Sequence, residues 1–217
     1  MVYSFDMRAL LVLALLTLSA LSLAQKATFE ALREGKSVGS LTYERILQGS
    51  AQTTVVDIAM TQGTQVVKMK ITSKFNAQGA PTSRIGEISA ASYQVKINMA
   101  FVSGSAKVTI TNGKKSETKN IDSIPKISIA DPSIWWFIKN KPTPKQSYRY
   151  QTISPATLAW SEVMVQYLGP GQVDLRGKKV SGHRVDETRG KERSTVWLDD
   201  KGMPLIIDQG KLKFIRK

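Results

Sequence analysis

Polar and apolar residues alternate along most of the chain. Val67, Met69, Ile71, Ser73 and Phe75 fall on one side of a period-two pattern, and Lys68, Lys70, Thr72 and Lys74 fall on the other. Successive side chains of a strand point to opposite faces, so this run predicts a half-buried strand with a basic outer face. Tyr93, Val95, Ile97, Met99 and Phe101 repeat the pattern, and Ala106, Val108 and Ile110 repeat it again with Lys107 and Thr109 opposite. Turn signals punctuate these runs at Gln62-Gly63, Asn112-Gly113 and Asp200-Lys201-Gly202. Asn-Gly between two alternating runs is a strong hairpin signal. Similar runs at about 38–47, 53–60, 82–89, 115–121, 148–153, 158–168, 172–176 with 179–186, 194–198, 203–207 and 211–215 give about a dozen strands. No strand–helix–strand spacing occurs, which argues against a doubly wound parallel sheet.

Two segments depart from this rhythm. Residues 25–36, with Phe29 and Leu32 three apart, admit a short N-terminal helix. Residues 131–139 carry a clearer helical signature: Asp131 suits the N-cap, Pro132 the first turn and Lys139 the C-terminal end of the dipole. Ile134, Trp135, Trp136, Phe137 and Ile138 make this segment apolar nearly all round, so it is expected to be buried. Pro142 and Pro144 end it, and Gly169-Pro170-Gly171 reads as a second loop. The expected architecture is mainly β: one domain over residues 26–217, a strongly curved antiparallel sheet or incomplete β-barrel enclosing a short central helix.

The first 24 residues read differently. Arg8 precedes a short apolar run that closes on Ser22-Leu23-Ala24, the pattern of a cleaved secretory signal peptide. The run is too short to favour a spanning helix. A periplasmic or secreted protein, soluble after cleavage, is therefore expected. The 217 residues include no cysteine and one histidine, His183, which excludes disulfides, thiolate metal sites and multi-histidine centres. Lys and Arg number 31 against 17 Asp and Glu, a net charge of +14. The excess is uneven, with nine basic and two acidic side chains in residues 64–119.

Few residues suggest reaction chemistry. His183 lies in a charged strand whose nearest carboxylate, Asp186, points to the opposite face, and no Gly-x-Ser-x-Gly elbow occurs. Asp199-Asp200-Lys201-Gly202 is explained by a β-turn. Gly169-Pro170-Gly171 lacks the context of a phosphate-binding loop. The chain is read as a non-enzyme without cofactor or metal. Lys68, Lys70, Lys74, Lys96 and Lys107 form a candidate basic surface. Tyr93 and Phe101 fall with the apolar set instead of beside these lysines, so an anionic membrane surface or an acidic envelope protein fits better than nucleic acid. Met69, Ile97, Met99 and Trp160, with Ile134 to Ile138 as a lid, are candidate walls of an apolar cavity.

Residues 194–206, Ser-Thr-Val-Trp-Leu-Asp-Asp-Lys-Gly-Met-Pro-Leu-Ile, resemble the C-terminal Val-Trp-Leu-Asp-x-x-Gly-x-Pro hairpin of exported proteins in the lipoprotein-carrier superfamily and neighbouring periplasmic β families. The preceding strand, around 177–185, is similar to theirs, and the specific likeness covers about residues 177–208. The resemblance implies an incomplete antiparallel barrel wrapped over a helix and a role in carrying lipids or lipoproteins. The function expected is binding or carrying an apolar envelope ligand, a lipid or the acyl part of a lipoprotein. The alternative is a sensory or scaffold domain with a filled core that binds a protein partner. N-terminal sequencing of protein from its native envelope should begin at Gln25; material retaining Met1 or Met7 and pelleting with membranes would contradict cleavage.

Overall fold

The computed structural model describes residues 23–91, 93–102, 105–122, 137, 139–153 and 158–217. Fourteen strands follow one another: β1 (Leu23–Arg33), β2 (Lys36–Gln48), β3 (Ala51–Gln62), β4 (Gln65–Phe75), β5 (Pro81–Ala90), β6 (Tyr93–Val102), β7 (Ser105–Asn112), β8 (Lys115–Ile121), β9 (Ser147–Ile153), β10 (Trp160–Leu175), β11 (Lys178–Arg189), β12 (Glu192–Leu198), β13 (Pro204–Asp208) and β14 (Leu212–Arg216). All belong to one antiparallel sheet of order β8-β7-β6-β5-β4-β3-β2-β1-β14-β13-β12-β11-β10-β9. The first and last strands are neighbours, and the break in the order falls in mid-chain.

The alternation seen in the sequence sets the faces. Cross-strand partners share a face, so the register Leu41↔Ile58, Ile58↔Met69 and Met69↔Ile88 draws one apolar row across β2 to β5. Lys68, Lys70 and Lys74 occupy the opposite face and are exposed. The main core joins Phe29 of β1, Leu41 and Tyr43 of β2, Tyr150 of β9, Val163, Val165 and Tyr167 of β10, Val185 of β11, Val196 and Leu198 of β12 and Phe214 of β14. A second cluster joins Met99 of β6, Ala106 and Val108 of β7 and Ile153 of β9, with Phe101 and Trp160 against it.

The expectation of a strongly curved sheet or incomplete barrel around a central helix is overturned. The sheet is open, ending at β8 and β9 with no ladder between them. A reason lies in β8, where six of seven residues are exposed: a strand that is polar on both faces has no apolar side to bury against a closing neighbour. Among the described residues only Phe137, Lys139 and Asn140 are helical, and the Lys141 amide donates to the Phe137 carbonyl at 3.1 Å. The remaining segment expected to form the helix, including Ile134, Trp135, Trp136 and Ile138, lies outside the described residues. Among the described residues, strand side chains make up both clusters apart from Met203 of the β12–β13 turn, with Phe137 packed against the first and Leu158 against the second.

Two local readings are also corrected. Residues 25–36 are not helical: Leu23–Arg33 is strand β1. Ala27, Phe29 and Ala31 alternate inward and are buried, so period two prevails over the three-residue spacing of Phe29 and Leu32. Gly169-Pro170-Gly171 is not a loop: it pairs regularly with β11 just after a register shift between Tyr167 and Gly169, within β10, which runs unbroken from Trp160 to Leu175.

β1 also carries an irregularity after Ala31, opposite Gly39 of β2. Gly39 has φ 154°, and a Cβ there would stand 2.0 Å from the Ala59 carbonyl oxygen of β3. Gly39→Ala should therefore destabilise the protein by at least about 2 kcal/mol, read as a lowered urea midpoint at unchanged slope.

Candidate apolar binding cleft

Three of the cavities that open on the described residues bear on the site. Two have mainly polar and charged walls: one of about 440 Å³ touches Glu187, Arg189, Glu192 and Arg193, and one of about 390 Å³ surrounds Asp199, Asp200 and Arg216. The third, about 420 Å³, is mostly apolar and lies on the core face. Leu41 and Tyr43 of β2, Val56, Ile58 and Met60 of β3 and Met69 of β4 form one wall. Val196, Pro204, Ile207, Leu212 and Phe214 of β12 to β14 form the other, and Glu187 and Gln209 are its polar residues. Its size is that of a small-ligand pocket, and a wall of unbranched methionine and branched aliphatic side chains suits a flexible hydrocarbon.

The turn between β12 and β13 lies beside this cleft. The Asp199 carboxylate accepts from the Lys201 and Met203 amides at 3.0 and 2.9 Å and from Arg216 Nη1 at 2.8 Å. Gly202, at φ 72°, turns the chain, and Pro204 enters β13 as part of the cleft wall. Buried Arg45 of β2 donates through Nη2 to the Lys201 carbonyl at 2.9 Å and to Gln25 Oε1. The β12–β13 hairpin is thus fastened to the opposite half of the sheet.

The sequence-predicted site residues are divided by the fold. Met69 lines the cleft. Ile97, Met99 and Trp160 lie in the second cluster, where the Trp160 ring is 6.5 Å from that of Phe101 and its Nε1 donates to the Asp122 carbonyl at 2.8 Å. Phe137 packs against the main core, 5.6 Å from the Tyr167 ring and 4.7 Å from the His183 ring. Leu41, Tyr43, Val56, Ile58 and the β12–β14 wall escaped sequence reasoning. Alternation marks them as buried, but only topology brings them together.

All five lysines of the basic surface are exposed on the outer face. Acids interrupt it: Lys70 stands between Asp57 and Glu87 in register, and Lys96 pairs with Glu87 at 3.0 Å. Such an exposed pair contributes at most about 1 kcal/mol.

His183 is more connected than its sequence context suggested. Nε2 lies 2.9 Å from Asp200 Oδ1, and Nδ1 lies 2.8 Å from Tyr167 Oη. A carboxylate only accepts, so Nε2 carries the proton, and in the neutral ring the Tyr167 hydroxyl donates to Nδ1. Burial raises the Tyr167 hydroxyl above its ordinary value of 10.0, which keeps that donor protonated well beyond neutral pH. Asp186 does point away, as expected, and accepts from Arg184 and Thr195.

No family model matches the sequence, and no curated protein matches it. The fold is similar to a solved beta-barrel-like protein of the domain of unknown function DUF1849 from Brucella abortus, with 13% identity and a TM-score of 0.63 over 91% of this chain and 97% of that one. A DUF1089 family protein from Pseudomonas aeruginosa aligns with 9% identity and a TM-score of 0.43 over 76% of this chain and 87% of that one. The first likeness supports the fold.

The bridge through His183 yields a stability prediction. His183→Ala should cost about 1–3 kcal/mol, because the hydroxyl of buried Tyr167 loses its partner. Combined with Tyr167→Phe it should cost less than the two single changes added, a coupling that a double-mutant cycle in urea would measure.

Proposed function

We propose that the chain is an exported, non-enzymatic protein that binds an apolar envelope ligand, a lipid or the acyl part of a lipoprotein, in the cleft between β2–β4 and β12–β14. The supporting observation is the 420 Å³ space with predominantly apolar walls on the core face. A scaffold domain with a filled core would close such a space, because protein interiors pack to crystal-like density. The apolar run ending at Ser22-Leu23-Ala24 supports export to a compartment where such ligands are found. The candidate basic outer face would favour approach to an anionic membrane surface or an acidic envelope protein, with nucleic acid not among the partners.

Fluorescence titration with the methyl ester of cis-parinaric acid tests this reading. The protein should bind the probe saturably, and lipid extracted from purified native material should give a defined acyl species in mass spectrometry. Ile58→Trp places a bulky ring in the cleft and should weaken probe affinity about tenfold or more, with a denaturation cost within the roughly 1–3 kcal/mol of overpacking. Absence of probe binding in the parent protein would overturn the carrier reading in favour of the scaffold alternative.

A further inference from the structure

One row of the core face is polar. Register pairs Gln25 of β1 with Arg45 of β2, Arg45 with Thr54 of β3, Thr54 with Ser73 of β4 and Ser73 with Arg84 of β5. Five neighbouring strands thus place five polar side chains in line on the face that elsewhere carries the core. The next row along the strands, Tyr43 and Val56, lines the apolar cleft. Arg45, Thr54 and Ser73 are buried, and Arg84 Nε donates to Ser73 Oγ at 3.2 Å. Beyond Thr54 on the same face, Gln52 is 3% exposed and its side-chain oxygen has no hydrogen-bond partner among the described residues.

The charge on the two faces of β1 to β5 is segregated. Strand alternation puts the acids Glu30, Glu44, Asp57 and Glu87 on the outer face, so the charged residues that these strands place on the core face are all basic: Arg45 and Arg84 in the polar row, and the exposed pair Arg33 and Lys36 at the other end of β1 and β2. The polar row adjoins the cleft through the Tyr43 and Val56 row, and Glu187 stands in the far wall. An oxyanion beside the row is stabilised by charge-assisted hydrogen bonds, for which the planar guanidinium is shaped.

We propose that the Arg45–Thr54–Ser73–Arg84 row is a head-group subsite that takes the anionic oxygens of an amphiphile, a carboxylate or a phosphate, while its chain lies along the apolar cleft. This rests on the proposed binding role of the cleft and adds the ligand's charge and orientation. Arg84 and the two hydroxyls are its contact groups. Arg45, which also holds the Lys201 carbonyl, ties the occupied subsite to the β12–β13 turn.

The experiment compares cis-parinaric acid with its methyl ester on the full chain and on Arg84→Gln and Thr54→Val, each first shown to unfold cooperatively. The parent should bind the acid about tenfold or more tighter than the ester. Arg84→Gln should remove most of that preference and leave ester affinity within about twofold, and Thr54→Val should lower it partly. Displacement of the bound acid by dodecanoate, dodecyl phosphate and dodecanol distinguishes the head groups: stronger displacement by dodecanoate assigns a carboxylate, and by dodecyl phosphate a phosphate. Equal affinity for acid and ester in the parent, or equal loss of both in Arg84→Gln, overturns the subsite while leaving the cleft reading intact. Failure of both probes to bind overturns the cleft reading and the subsite with it.

Discussion

The ladder between β1 and β14 holds the sheet together. Five residues of each strand pair, from Phe29↔Arg216 to Arg33↔Leu212, and they are the hydrogen-bonded join between the run β1–β8 and the run β9–β14. Every other ladder links strands that follow one another in sequence. Closing a connection across nearly the whole chain costs entropy, although that cost grows only slowly with length. Phe29 and Phe214 are buried there, the Lys217 amide donates to the Thr28 carbonyl at 2.9 Å, and Arg176 reaches Glu30 at 2.7 Å. The Glu30 carboxyl is held below its ordinary range, chiefly by the Ser37 hydrogen bond and then by Arg176. Its contribution is therefore present at neutral pH and fades as pH falls through that lowered value.

The candidate cleft exists because of this join. One wall comes from β2–β4 and the other from β12–β14, so neither run of strands contains it alone. Arg45 reinforces the join from the side chain, reaching across to the carbonyl of Lys201. The polar row beside the cleft is likewise a product of register: Arg45, Thr54, Ser73 and Arg84 come from four successive strands, and consecutive hairpins align all four.

What could be read from sequence follows from the range of each interaction. Strands such as Gln65–Phe75 and Lys115–Ile121 were legible to within about two residues, because alternation and turn chemistry are local. Residues 25–36 were misleading because a small, apolar-poor stretch fits both periods, and only pairing with β2 and β14 decides between them. The shift at Gly169 looks like a loop because glycine and proline mark bulges as well as turns. The site was the least legible part. Met69 could be named from its own strand, whereas Ile58, Phe214 and Pro204 become neighbours only through the order of the sheet. His183 was read against Asp186, three residues away, while its partners Tyr167 and Asp200 come from adjoining segments.

The placement of β14 also has a consequence in time. At roughly 5–20 residues per second β14 leaves the ribosome roughly ten to forty seconds after β1, so β1 waits that long before its partner exists. Throughout that interval one backbone edge of β1 is open to pairing with any extended chain nearby. Lys26 and Glu30 punctuate its outer face with charge, a placement that discourages intermolecular pairing. A chain threaded unfolded across a membrane, as the proposed export would require, would meet the same delay on the far side, and β1, more than any internal hairpin, would there depend on chaperones that hold extended segments.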